Sequence, residues 1–252
     1  MIDKYELMKS MTYDEPFLYN GLSIYPVKMK EYMDFHLAVN CLLLDKNSIP
    51  DIKILSMTYL EYLFYLYEEK QEPYLIMLGT LLRMVLHVED INLIRFDLDN
   101  KKILVGENII NDDKLMDIKQ IIFEQNCIED IDENIQKEVR DDLAKAKELK
   151  MRQNDNKICS LEEQMICVLI SSNLKLEDIY NLTIRKFSKV LQRADYKLHY
   201  QIYMTASTSG LVEFKDKSML KHWMSALDEG DSFADVKVDQ KELEQKINLP
   251  TT

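Results

Sequence analysis

Glycine and proline are scarce, five of each in 252 residues, where average usage would put roughly thirty in a chain of this length. That shortage argues against sandwiches, barrels and disordered chains, which need many turns or breaks, and favours long helices. Phosphate-cradling and nucleophile loops are missing too. The sequence has no Gly-x-x-x-x-Gly-Lys-Ser/Thr, Gly-x-Gly-x-x-Gly, Gly-x-Ser-x-Gly or His-Glu-x-x-His, which disfavours the enzyme classes built on them. The four cysteines, Cys41, Cys127, Cys159 and Cys167, form no Cys-x-x-Cys pair and read as reduced thiols of a cytosolic protein. The N-terminus lacks the basic and apolar regions of a secretion signal, and no apolar run reaches membrane-spanning length. The expectation is a soluble cytoplasmic protein.

What is present is apolar and acidic. The 46% apolar fraction supplies a sizeable core, and 44 acidic against 32 basic residues leave a formal charge of −12. At a pI near 4.9 the net field repels nucleic acid and anionic lipid, so neither is an expected partner, and a basic partner surface fits better. Fourteen methionines and fourteen tyrosines suit adaptable packing and rigid amphipathic contact.

Along the chain, Asn20-Gly21 between short β-rich runs predicts a tight hairpin at 17–25. Pro26 and the spacing of Met29, Met33, Leu37, Cys41 and Leu44 predict a helix of roughly 28–45. Residues 57–69 read as a buried helix, and Pro73 opens another through Val88. Between Ile91 and Ile110 the period changes to that of a second hairpin, with Asn100 left-handed at its turn, paired with or near the first. Asn111 or Asp112 caps a helix to Asn126. Residues 131–153 read as a solvated acidic helix, and the polar run 152–157 as a domain boundary. Ser160 and Glu163 form a capping box. Thr183 caps a long helix whose face runs Phe187, Val190, Leu191, Ala194, Leu198, Ile202 and Ala206, and which stops at Gly210. A β-like 211–215 and a helix to Leu227 follow.

The fold class expected is therefore mainly α (α+β), helical-bundle subdomains with two small β-hairpins in the N-terminal half. The expected division is an α+β domain at 1–128, an acidic helical connector at 129–158 and a helical domain at 159–252.

Candidate sites are weak. His36 and Cys41, five residues apart on one predicted helix, diverge by about 140° and make a poor metal pair. Cys159 and Cys167 read as buried thiols, and His87 as a helix-end residue near the terminal carbonyls. Glu129, Asp130, Asp132 and Glu133 read as a solvated face near a helix N-terminus. No catalytic, cofactor or metal site is expected. Arg185, Lys186, Lys189 and Arg193 make the basic face of note, explained by helix pairing. Tyr196, Tyr200 and Tyr203 could form an aromatic contact surface, although core packing is the commoner fate of such residues. Trp223, the sole tryptophan, suits a core anchor slightly better than an interface.

Several phrases carry a resemblance. Ser160-Leu161-Glu162-Glu163-Gln164-Met165, Leu176 to Phe187, Ser209 to Lys215 and Lys221-His222-Trp223-Met224 occur in order, after an opening with Leu22 to Val27 and Tyr32-Met33-Asp34-Phe35. This set resembles tail assembly chaperones of phages and prophages of Gram-positive bacteria. The resemblance implies a non-catalytic protein in an infected or lysogenic host, binding the tape-measure protein and tail-tube subunits, with self-association open. A structural tail component or a phage regulator of a host protein is the alternative. The contact residues named on this reading are Arg185, Phe187, Tyr196, Tyr200, Tyr203 and Trp223.

Overall fold

The computed structural model describes residues 2–131, 142, 145, 159–209 and 222–225. It is a mainly helical α+β fold with two small antiparallel sheets in the N-terminal half. The acidic helix expected at 131–153 and the polar boundary at 152–157 lie essentially outside the described residues. Gly210, the β-like 211–215 and most of the helix to Leu227 also fall outside them.

Helix α1 (Lys4–Tyr13) was not legible as an element. Asp3 caps it, its carboxylate accepting from the Tyr5 and Glu6 amides. Strands β1 (Phe17–Tyr19) and β2 (Leu22–Ile24) form the expected hairpin in the register Phe17↔Ile24. Its turn has φ +48° at Asn20 and +83° at Gly21, both left-handed as a two-residue type I′ turn requires.

The helix expected at 28–45 is shorter. A 3-10 turn at Met29–Glu31 precedes α2 (Tyr32–Ala38), and a second 3-10 turn covers Val39–Leu42. The backbone of 27–29 is committed elsewhere: Met29 N–H donates to the Leu182 carbonyl and Ile184 N–H to the Val27 carbonyl. At the other end the Asn40 side-chain amide donates to the His36 and Leu37 carbonyls, competing with the helical ladder.

Helix α3 (Ile52–Ser56) is short, and Lys46 Nζ donates to the Ile54, Leu55 and Met57 carbonyls at its end. Helix α4 (Tyr59–Lys70) opens on a Thr58–Glu61 capping box. Its Leu60, Leu63 and Phe64 enter the main core, while Tyr62 and Leu66 pack with Ile54 in a smaller cluster. Helix α5 (Tyr74–Val85) is the apolar centre, with Leu78, Leu81, Leu82 and Val85 fully buried. It ends at Val85, whose carbonyl accepts from Tyr25 N–H.

The second β unit is a three-stranded meander. Strands β3 (Ile94–Asp97), β4 (Lys102–Val105) and β5 (Asn108–Ile110) pair in that order, separately from the first hairpin. The two sheets nevertheless lie close, a Cβ built on Gly21 meeting Asn108 Oδ1 at 3.5 Å. The left-handed residue of the β3–β4 turn is Lys101, not Asn100. The Asn100 amide and side chain both donate to the Asp97 carboxylate, which fixes Asn100 before the reversal and holds that carboxyl below its usual range. Gly79 lets α5 approach this sheet, since a Cβ there would sit 3.2 Å from the Phe96 ring.

Helix α6 (Asp112–Asn126), capped by Asn111, closes the core with Leu115, Ile118, Ile121 and Ile122. Helices α7 (Leu161–Ser171), α8 (Leu176–Asn181) and α9 (Ile184–Thr208) follow. The Ser160–Glu163 capping box forms, and the Ser160 amide and hydroxyl hold the Glu163 carboxyl below its usual range. Val168, Ile179, Ile184 and Phe187 join the same core cluster as the N-terminal helices. A bridge of Lys28 to Thr183 ties the two ends of the fold.

Candidate protein-contact surface

The long helix α9 has two halves of different character. Thr183, 2% exposed, caps it by accepting from the Lys186 amide and donates its own hydroxyl to Asp14 Oδ1 at 3.1 Å. Lys186 reaches Asp14 Oδ2 at 2.7 Å, and Arg185 donates to the Glu124 carbonyl at 2.9 Å. Arg185 and Lys186 of the basic face are thus spent on α6 and on the end of α1, across elements rather than within the helix. Phe187 is 4% exposed and belongs to the core, with Val190 and Leu191 packed against it. Beyond Ala194 burial falls away: Leu198 is 56% and Ile202 53% exposed. One continuous apolar face therefore begins as core and ends as surface.

The structure brings part of the candidate set together in the distal half. Arg193 donates to the Trp223 and Ser225 carbonyls at 2.7 and 2.6 Å, holding that segment on α9. Lys197 lies over the Trp223 ring, and the Tyr200 ring meets His222 edge-on at 5.1 Å between centroids. Trp223 is half-buried in this arrangement. Tyr203 stacks on His199, which pairs with Asp195 within the helix. Tyr196 is half-buried. Arg185 and Phe187 lie on the proximal half, some two turns and more from this group.

The blander readings of Cys159, Cys167 and His87 change. Cys41 is buried and its thiol is pushed up to about 12 by desolvation, while His36 on the same stretch is exposed. Cys159 and Cys167 are exposed, not buried, because Cys159 precedes the cap of α7 and Cys167 shares the outer side with Ile166 and Ile170, which are 45% and 80% exposed. His87 is left-handed at φ +50°, and its ring stacks on Tyr25 at 3.9 Å instead of reaching the helix-end carbonyls. Asp130 pairs with Lys119 at 2.7 Å.

A feature that pattern reading missed lies between α2 and α5. Glu31, Asp34 and Leu37 of the α2 region face Met77, Met84 and Glu89 of the α5 region across an open groove of about 630 Å³. The signal was present as Met33 and Leu37 four residues apart, but their spacing predicts only a helix and not which of its residues are covered; they are 64% and 63% exposed.

Among the described residues no group of three His, Cys, Asp or Glu could hold a metal, and no helix is long and apolar enough to cross a membrane. The family model of the YomV second domain, YomV being a Bacillus phage- or prophage-associated protein, matches residues 150–228. No curated protein and no solved structure matches the chain. The matched segment contains α7, α8, α9 and Trp223, and its similarity to that domain supports a phage-related protein.

Proposed function

We propose that the protein is a non-catalytic tail-morphogenesis factor, a tail assembly chaperone that binds the tape-measure protein and tail-tube subunits. The observation that carries this reading is the apolar face of α9, which leaves the core after Ala194 and presents Leu198 and Ile202 to solvent. Exposed leucine and isoleucine at a four-residue step suit the burial of an apolar stripe from another helix. The phage-related C-terminal segment and the resemblance to chaperones point to tail proteins as that partner.

Co-expression with the tape-measure protein of the same phage tests the reading. The two proteins are expected to co-purify, and Leu198→Asp with Ile202→Asp is expected to abolish retention while leaving the helical circular dichroism unchanged. Failure of the wild-type chain to co-purify, or its presence in mature virions at stoichiometric abundance, refutes the chaperone reading, the latter in favour of a structural tail component.

A further inference from the structure

The groove between α2 and α5 has a composition that the core does not need. Met77 and Met84 are half-buried along it, Ala38 closes it beneath, and Leu37 stands on its rim at 63% exposure. Met33 and Ile76, 64% and 60% exposed, extend the apolar area on the outer sides of the same two helices. Methionine is unbranched and polarizable, so a floor built from it reshapes to fit different apolar side chains. Around this floor stand three carboxylates, Glu31, Asp34 and Glu89, against one guanidinium, Arg83. His87 closes one end, held by its stack on Tyr25.

Length and hydrogen bonding narrow the occupant. From Met77 to Met84, both lining residues on α5, the wall rises about 10 Å, or two helical turns. Helical walls offer no row of free amides and carbonyls, so an extended peptide laid there would lose its backbone partners. A partner helix brings its own hydrogen bonds and needs only an apolar stripe. The carboxylate excess then selects lysine or arginine beside that stripe.

We propose that this groove seats an amphipathic helix of a partner protein, its apolar stripe on Met77, Met84 and Leu37 and its basic residues against Glu31, Asp34 and Glu89. The groove and α9 use different sides of α2: Tyr32, Phe35 and His36 line a separate cleft with Phe187 and Leu191. The two surfaces are therefore separable by mutation.

Binding of fluorescent synthetic helices to the full chain tests this. Two peptides of about 18 residues share one leucine pattern, with lysine on the polar face of one and glutamate on that of the other. The lysine peptide is expected to bind saturably, at least about tenfold more tightly than the glutamate peptide. Leu37→Glu, at an exposed position, is expected to weaken it about tenfold, as is Asp34→Lys with Glu89→Lys. Glu107→Lys with Glu177→Lys makes the same charge change at exposed sites outside the groove and is expected to weaken it less than about threefold. Equal loss in both charge pairs, equal binding of the two peptides, or absence of saturable binding overturns the proposal. So does a concentration-dependent dimer that Leu37→Glu dissolves, since a second copy would then be the occupant. Leu198→Asp with Ile202→Asp is expected to leave peptide binding unchanged, so failure here is distinguishable from failure of the tape-measure reading.

Discussion

Replacing Phe187 by alanine and Leu198 by serine separates the core half of α9 from its surface half. Phe187 is 4% exposed within the cluster that also holds Phe35, Ile122 and Val168. Truncating a buried phenylalanine removes its transfer energy and leaves a cavity that the surrounding helices fill only in part, costing about 3–5 kcal/mol. That is a large share of the roughly 5–15 kcal/mol that holds a typical domain together. Leu198 is 56% exposed. Full burial of leucine contributes about 1.5–3 kcal/mol, so the fraction buried here is worth roughly 0.7–1.3 kcal/mol.

Urea unfolding followed by circular dichroism measures both changes, and Trp223 fluorescence supplies a second probe in the distal half. Because Phe187, Ile184 and Val168 share a core with α2, α5 and α6, Phe187→Ala is expected to lower both transitions together. The reasoning is refuted if Phe187→Ala costs under about 1 kcal/mol or Leu198→Ser over about 2 kcal/mol. Well-separated transitions by the two probes would instead show residues after 159 unfolding as a unit of their own.

Asn126 is 2% exposed, accepts from Val27 N–H and donates to the Ile122 carbonyl. Asn126→Leu strands a buried amide and is expected to cost about 1–3 kcal/mol in urea unfolding. Gly21→Ala, at φ +83° with only ordinary contact to Asn108, is expected to cost about 1 kcal/mol through the backbone alone, measured as a fall in melting temperature. Alkali should destabilise the fold. Burial and then the Asp117 hydrogen bond push Tyr19 up to about 12, burial pushes Cys41 up to about 12, and burial raises Tyr59 as well. Below the unfolded values, near 9 for cysteine and 10 for tyrosine, this stability is intact. Above them the unfolded chain loses protons that the folded chain keeps, so stability falls until the folded groups ionise. A flat urea midpoint between about pH 9 and 12 would count against this. Arg193→Gln removes the donor to the Trp223 and Ser225 carbonyls. It is expected to raise acrylamide quenching of Trp223 with little change in global stability.

Local chemistry made much of the fold legible. Asn20-Gly21, the Ser160–Glu163 box and the Thr183 cap each satisfy backbone groups within a few residues, so their outcome follows from the sequence around them. Helix α2 was misjudged in length because its beginning is set by the Leu182 carbonyl, more than 150 residues away. The third strand of the meander was missed because β5 is only three residues long and is turned back by Gly106 at φ +58°. Periodicity also says which residues share a face without saying whether anything covers it. That is why the 28–45 spacing gave no hint that Met33 and Leu37 are exposed while Cys41 is buried, and why the α9 stripe gave no hint that Phe187 and Leu198 differ in exposure.

The uneven charge distribution links the two surfaces. Within α9 five basic residues, Arg185, Lys186, Lys189, Arg193 and Lys197, stand against the single acidic Asp195. Three of them act as clamps, Arg185 on the α6 carbonyl of Glu124, Lys186 on Asp14 and Arg193 on the chain at 223–225. These cations are turned toward the protein's own groups, and the acidic excess is carried by the rest of the chain. An approaching basic helix thus meets a carboxylate-rich field at Glu31, Asp34 and Glu89. Around Leu198 and Ile202 attraction of that kind is weaker and apolar contact must supply more of the binding energy. Salt should accordingly weaken groove binding more than binding to the distal half of α9.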